Sequence, residues 1–138
     1  MNLPLHRRCS IVLNDNLQPG LAANAAAVLA ASIGRAYPEI VGPAVLDGAG
    51  NVHPGITRIP LPILQTDAES LRRLAVSARQ GGVEVFGFTD VAQTCHRYEE
   101  YTARMASAEP GRLTYAGLAL FGPVTDVRRL TGDLALYR

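Results

Sequence analysis

The sequence predicts a single α/β domain over residues 1–138, built on a mixed sheet with helices on both faces. Three observations lead there. Strand-like and helix-like segments alternate along the chain, the order that sets helices on the faces of a sheet. Pro60 and Pro62 within one apolar run, and turn chemistry at Asp47-Gly48, favour a mixed sheet over a purely parallel one. A chain of 138 residues, 48% hydrophobic and 18% charged, suits one domain with a substantial core.

The elements follow in order. Cys9–Leu13 is a short apolar run bounded by Asn14-Asp15-Asn16, which predicts a buried strand. Pro19-Gly20 leads into Leu21–Ser32, a helix of small and aliphatic residues with Gly34 as its stop. Tyr37–Gly55 is rich in Pro and Gly, and Val45-Leu46 and Val52 flank its turn as a small hairpin. Ile56–Leu64 alternates in part, and its two prolines place it at a sheet edge. Thr66 and Glu69 match a capping box ahead of a helix whose inner positions are Leu71, Leu74, Ala75 and Ala78, ended by Gly81-Gly82.

Val83–Thr89 then alternates as a strand, and Val91–Ala106 has helical spacing throughout. In that helix Tyr98, Tyr101 and Met105 share a face, and Glu100 can pair with Arg104. After the Pro110-Gly111 turn, Leu113–Phe121 is a long central strand. Pro123 opens a short helix with Val124, Val127 and Leu130 inward, stopped by Gly132, and the tail Leu134–Tyr137 docks on the body.

Composition excludes some chemistry outright. All 13 basic residues are arginine. Arginine does not deprotonate usefully in a protein, so Schiff-base, lysine general-base and phosphate-loop lysine mechanisms are out. Net charge is +1, without the basic surplus of a nucleic-acid binder, so RNA is not the favoured partner. No apolar run reaches the roughly 20 residues of a membrane span, and Ile11–Leu13 is too short for a signal peptide. The expectation is a cytoplasmic protein. Cys9 and Cys95 read as two reduced, buried thiols, and His6, His53 and His96 are scattered with them, so neither a metal nor a cofactor is expected. The doublets Arg7-Arg8, Arg72-Arg73 and Arg128-Arg129 read as solvated faces diluted by nearby acids.

Two places could carry function. Ile11–Asn24 forms a strand, a polar loop and a glycine at a helix N-terminus, a geometry that suits an anion. Asn24 sits one turn inside this apolar helix and needs a partner, either a nearby backbone group or a ligand. Thr89–Thr94 follows the carboxyl end of a strand, where ligands of open α/β sheets bind. There Asp90 either orients a hydroxyl or water, or caps the next helix, with Thr94 one turn on. Cys95-His96 points two side chains about 100° apart and makes no nucleophile–base pair.

Several of these segments together resemble type 2 peptidyl-tRNA hydrolases. Gly20-Leu21-Ala22-Ala23-Asn24 after the first strand is similar to that family's first helix. Asp90-Val91-Ala92-Gln93-Thr94 is similar to its Asp-Ala-Gly-x-Thr segment, and Leu118–Pro123 with Thr131-Gly132-Asp133-Leu134 and Leu136 to its last strand and tail. The stretches Gly42–Gly55 and Cys95–Arg112 do not match. The whole chain resembles more closely an uncharacterised bacterial family, domain of unknown function number two thousand. Pro19–Val28, Val41-Gly42-Pro43, His53-Pro54-Gly55-Ile56, Phe88–Thr94, Tyr98-Glu99-Glu100-Tyr101 and Leu130–Leu134 carry that resemblance.

The resemblance implies a three-layer α/β/α sandwich with a mixed sheet of about four strands, and no established activity. Carried residue by residue, Gly20 stands where the hydrolase helix has a lysine, Asn24 replaces its glutamine and Ala27 its histidine. Asp90 and Thr94 keep the other functional pair. A displaced arginine, Arg97 for one, is the available source of positive charge. The leading expectation is an uncharacterised protein that binds a small or anionic ligand in the groove between the Gly20 helix N-terminus and Asp90–Thr94, with Gly20 and Asn24 as ligand-binding residues and Asp90 and Thr94 as the candidate catalytic pair. Whether it is an enzyme stays open. The alternatives are a hydrolase acting on an ester or peptidyl-tRNA, and a non-enzymic homodimer using the proline-bearing edge and the Tyr98–Tyr101 helix.

Overall fold

The first apolar run becomes the middle strand of the sheet. The computed structural model describes residues 6–138, so the N-terminal reading of residues 1–5 lies outside them. Strand β1 spans Arg7–Asn14, and helix α1 spans Pro19–Ala36. A short hairpin follows, β2 (Val45–Leu46) and β3 (Val52–His53), then β4 (Ile63–Thr66) and α2 (Ala68–Gln80). Strand β5 (Glu84–Thr89) leads directly into α3 (Asp90–Thr94) and α4 (Tyr98–Ala106). The chain ends with β6 (Tyr115–Pro123), α5 (Val124–Thr131) and β7 (Ala135–Leu136).

The result is a mixed α/β fold. Its five-stranded sheet has the order β5-β6-β1-β4-β7, and β2-β3 pair separately. One strand more than the expected four is present because the C-terminal tail supplies β7. Strand β1 runs parallel to β4 and antiparallel to β6, while β5 is antiparallel to β6. Strands β1, β4 and β5 therefore point the same way, and their carboxyl ends share one edge of the sheet.

The side chains of β1 divide between two clusters. Cys9, Ile11 and Leu13 pack with Ala22, Ala25, Leu29 and Ile33 of α1. Val12 packs with Leu71 and Ala75 of α2 and Leu118 of β6. The alanines let α1 approach the sheet closely, and Gly117 of β6 completes the fit. A Cβ added there would lie 2.8 Å from Leu13 Cδ2 and 3.1 Å from Leu29 Cδ1.

Four local expectations are corrected. Gly34 does not stop α1, which continues to Ala36; Pro38 ends it by forcing Tyr37 out of the helical region, at φ −133° and ψ 69°. The strand expected over Ile56–Leu64 starts only at Ile63 and is not an edge, because β7 pairs with it at Leu64 and Gln65. Pro62 lies just before it and still accepts from the Ile11 amide through its carbonyl, at 3.0 Å. The cap of α2 is Asp67 rather than Thr66: its carboxylate accepts from the Ser70 amide at 2.8 Å, while Thr66 stays in β4 opposite Asn14. Finally, the helix expected over Val91–Ala106 is two helices, with extended backbone at Cys95 and Arg97 between them.

Candidate functional site

The shared carboxyl edge carries both stretches singled out in the sequence. Asn14, at the end of β1, is buried; its Nδ2 donates to the Tyr115 carbonyl at 3.2 Å and its Oδ1 accepts from the Asn16 amide at 2.9 Å. Asp90 donates its amide to the Thr114 carbonyl at 2.9 Å. The loop leading to Gly20 and the start of α3 are thus tied to the consecutive residues Tyr115 and Thr114, at and just before the start of β6. They stand two strand spacings apart, about 10 Å.

The structure does not gather the four predicted residues into one cluster. Gly20 and Asn24 are exposed on α1, so Asn24 needs no buried partner, contrary to the expectation for an apolar helix. A Cβ added at Gly20 meets nothing within 4 Å, so packing does not require a glycine there. Asp90 and Thr94 do come together, but through the backbone. The Asp90 carboxylate accepts from the Val91 amide at 3.0 Å and the Thr114 amide at 3.3 Å, fixing the β5–α3 junction. The Thr94 hydroxyl donates toward the Asp90 and Val91 carbonyls, at 3.1 and 3.2 Å, and accepts from Arg104 Nη1 at 2.9 Å. A hydroxyl held this way by carbonyls and a guanidinium has no base beside it, which nucleophilic catalysis would need.

Arg104 was marked in the sequence only as a partner for Glu100. From α4 it reaches back to Thr94, to Cys95 Sγ at 3.4 Å and to Glu100 at 3.6 Å. It pins the non-helical turn between α3 and α4. The i,i+4 spacing of Glu100 and Arg104 was readable; the contact across the break was not, since no Gly or Pro announces the break.

That break opens a cleft of about 280 Å³ on the α1 face of β5. Val28 and Ser32 form one wall, Gly87 and Phe88 the floor, and Ala92, Arg97, Tyr98 and Tyr101 the opposite wall. Tyr98 and Tyr101 meet edge to face, ring centroids 5.5 Å apart. Tyr98 is 76% exposed, whereas burial, reinforced by Tyr98 and Cys95, raises the Tyr101 phenol above its ordinary pKa. Arg97 forms no ion pair among the described residues. Asn24 precedes Val28 by four residues and so lies on the same stripe of α1. A second groove of about 270 Å³, lined by Pro19, Ala23 and Ala26 of α1 with Ile63 and Tyr137, is almost wholly apolar. Gly20 and Asp90 line neither.

Among the described residues no group of three or more His, Cys, Asp or Glu side chains is placed to hold a metal. No helix among them is long and apolar enough to cross a membrane.

Together these features define an α/β protein with a five-stranded mixed sheet and an open aromatic cleft beside its outermost strand. The fold is that of a solved protein of unknown function from Agrobacterium tumefaciens strain C58, with a TM-score of 0.90 and 22% identity over 97% of this chain and 99% of the other. The family model described as protein of unknown function (DUF2000) matches residues 7–138, and the chain belongs to that family. Comparison with curated proteins gives no significant match.

Proposed function

We propose that the protein binds a small ligand in the cleft between α1 and the α3–α4 segment. The observation that carries this reading is the cleft itself. At about 280 Å³ it is close to the lower end of ordinary ligand sites, and it combines an apolar floor with a few polar groups, as such sites do. Asp90 and Thr94 serve it by holding the turn from β5 into α3, and Asn24 extends its α1 wall toward the carboxyl edge. Gly20 contributes the start of that helix rather than a contact.

This reading takes the fold as the three-layer α/β/α sandwich of type 2 peptidyl-tRNA hydrolases. Support comes from the division of β1 side chains between a cluster with α1 and a cluster with α2. It does not take over the hydrolase reaction: Gly20 replaces the lysine, and the Thr94 hydroxyl is engaged by Arg104.

Protein-detected NMR with a library of one- and two-ring fragments tests the proposal. Binders are expected to move the amides of Ser32, Gly87 and Ala92 before any others. Binders that move only residues elsewhere, or no binder at millimolar concentration, overturn it.

A further inference from the structure

We infer that the cleft is built for a small planar carboxylic acid of one or two rings. The inference rests on the ligand-binding reading above and narrows it to a chemical class.

Size sets the first limit. A cavity of about 150 Å³ holds a benzene molecule, so a cleft of about 280 Å³ takes one or two fused rings with a small substituent.

The lining sets the second. Phe88, Tyr98 and Tyr101 bring three aromatic rings to one cleft, in a chain with five tyrosines and three phenylalanines in all. Tyr98 holds its ring against Tyr101 while remaining mostly in water. Val28 on the facing wall is 38% exposed. A flat apolar body between them would cover both, in the offset or edge-on arrangements that aromatic rings prefer.

Charge sets the third. Four arginines pair with an acid within one turn, Arg72 with Glu69, Arg104 with Glu100, Arg112 with Glu109 and Arg129 with Asp126, and among the arginines outside these pairs Arg97 is the one that lines this cleft. Arg97, on the cleft wall, forms no such pair among the described residues. Two of the acids nearest it in sequence are engaged elsewhere. Glu100 faces Arg104, and the Asp90 carboxylate takes two backbone amides; Glu99, in the first turn of α4, is exposed. A guanidinium without a carboxylate partner beside an aromatic floor matches a ligand that carries the carboxylate itself, since the fork of arginine binds that group with two parallel hydrogen bonds.

Titrations with 2-naphthoate and benzoate, against the neutral 2-naphthamide and benzamide, separate carboxylate recognition from ligand binding as such. The acids are expected to move the amides of Ser32, Gly87 and Ala92 and to bind about tenfold or more tightly than the amides. Arg97→Gln should remove that preference, weakening the acids until they bind no better than the amides. Equal binding of acid and amide, unaltered by Arg97→Gln, overturns the carboxylate assignment while leaving a ligand cleft standing. Inorganic phosphate competing as well as naphthoate overturns the planar-acid class. Failure of all four probes and of the fragment library removes the cleft reading, and this inference with it.

Discussion

The centre of the sheet and its β5 flank are made from similar residues but closed differently. At the β1–β6 centre every side chain from Cys9 to Leu13 is buried, and Gly117 lets α1 settle until no room remains for a methyl group. On the flank, Phe88 and Val28 face a cleft, because α3 stops after five residues and α4 starts only after a three-residue gap. The difference lies in how the covering helix is delivered. Helix α1 crosses the sheet as one continuous apolar stripe. The α3–α4 segment is held by polar contacts instead, from Asp90 to Thr114 and from Arg104 to Thr94 and Cys95. Close packing stabilises; an apolar surface fixed open by hydrogen bonds leaves room for something else to bind.

Each region holds one cysteine, which gives the largest expected contrast. Cys9 is buried at the centre, and desolvation pushes its thiol up to about 12. At pH 8 the reactive thiolate is then scarce, and that sulfur is out of reach of solvent. Cys95 is half-buried on the flank beside Arg104. Ellman's reagent is expected to titrate one thiol in the native protein and the second only on unfolding. Two thiols reacting together at the native rate would show that the centre opens as readily as the flank.

Stability should divide along the same line. Leu29 is 1% exposed between α1 and the sheet, so Leu29→Ala should cost about 2–5 kcal/mol, the range for truncating a packed core leucine. Tyr98→Ala on the flank should change stability by no more than about 0.5 kcal/mol, as for an ordinary surface position. Urea unfolding of both variants measures the gap. Comparable losses would mean that Tyr98 belongs to the core rather than to a cleft.

How much of this was legible follows from where the determinants sit. The centre was readable because Cys9–Leu13 and the alanine-rich helix write their burial into local periodicity. Strand β7 was readable only as a docking tail: Ala135 and Leu136 are too few for a pattern, and their place is decided by the open side of β4. Cap position turned on one residue, since Thr66 and Asp67 both fit the signature and only the strand register holds Thr66 back. For the candidate site, the sequence marked Asp90 and Thr94 but not the contacts that hold them. Hydrogen bonds to Thr114 and from Arg104 join residues 24 and 10 positions apart, and no local pattern carries such pairings. The cleft was visible only as a shared face of Tyr98 and Tyr101; its facing wall comes from α1, dozens of residues earlier.

The β2–β3 hairpin extends the comparison to a region with no core at all, where the smallest global effect is expected. Val45, Leu46 and Val52 are mostly exposed, so apolar burial cannot hold its shape. One carboxylate does. Asp47 accepts from the Ala49 and Asn51 amides at 2.9 and 3.0 Å and from Asn51 Nδ2, and it pairs with His53 Nε2 at 2.9 Å. These bonds, that to His53 foremost, hold the Asp47 carboxyl well below the usual carboxylate range. A depressed folded-state pKa means the ties are fully present above the unfolded carboxyl value of about 3.9 and are lost as pH falls through the lowered one. The Ala49 and Asn51 amide resonances are therefore expected to hold their native positions from neutral pH to about 4 and to move only below it. Asp47→Ala should release both at neutral pH while leaving the global unfolding midpoint where it was. If the midpoint falls with the hairpin, the hairpin shares the cooperative unit of the centre, and the division between packed and polar-held regions must be redrawn there.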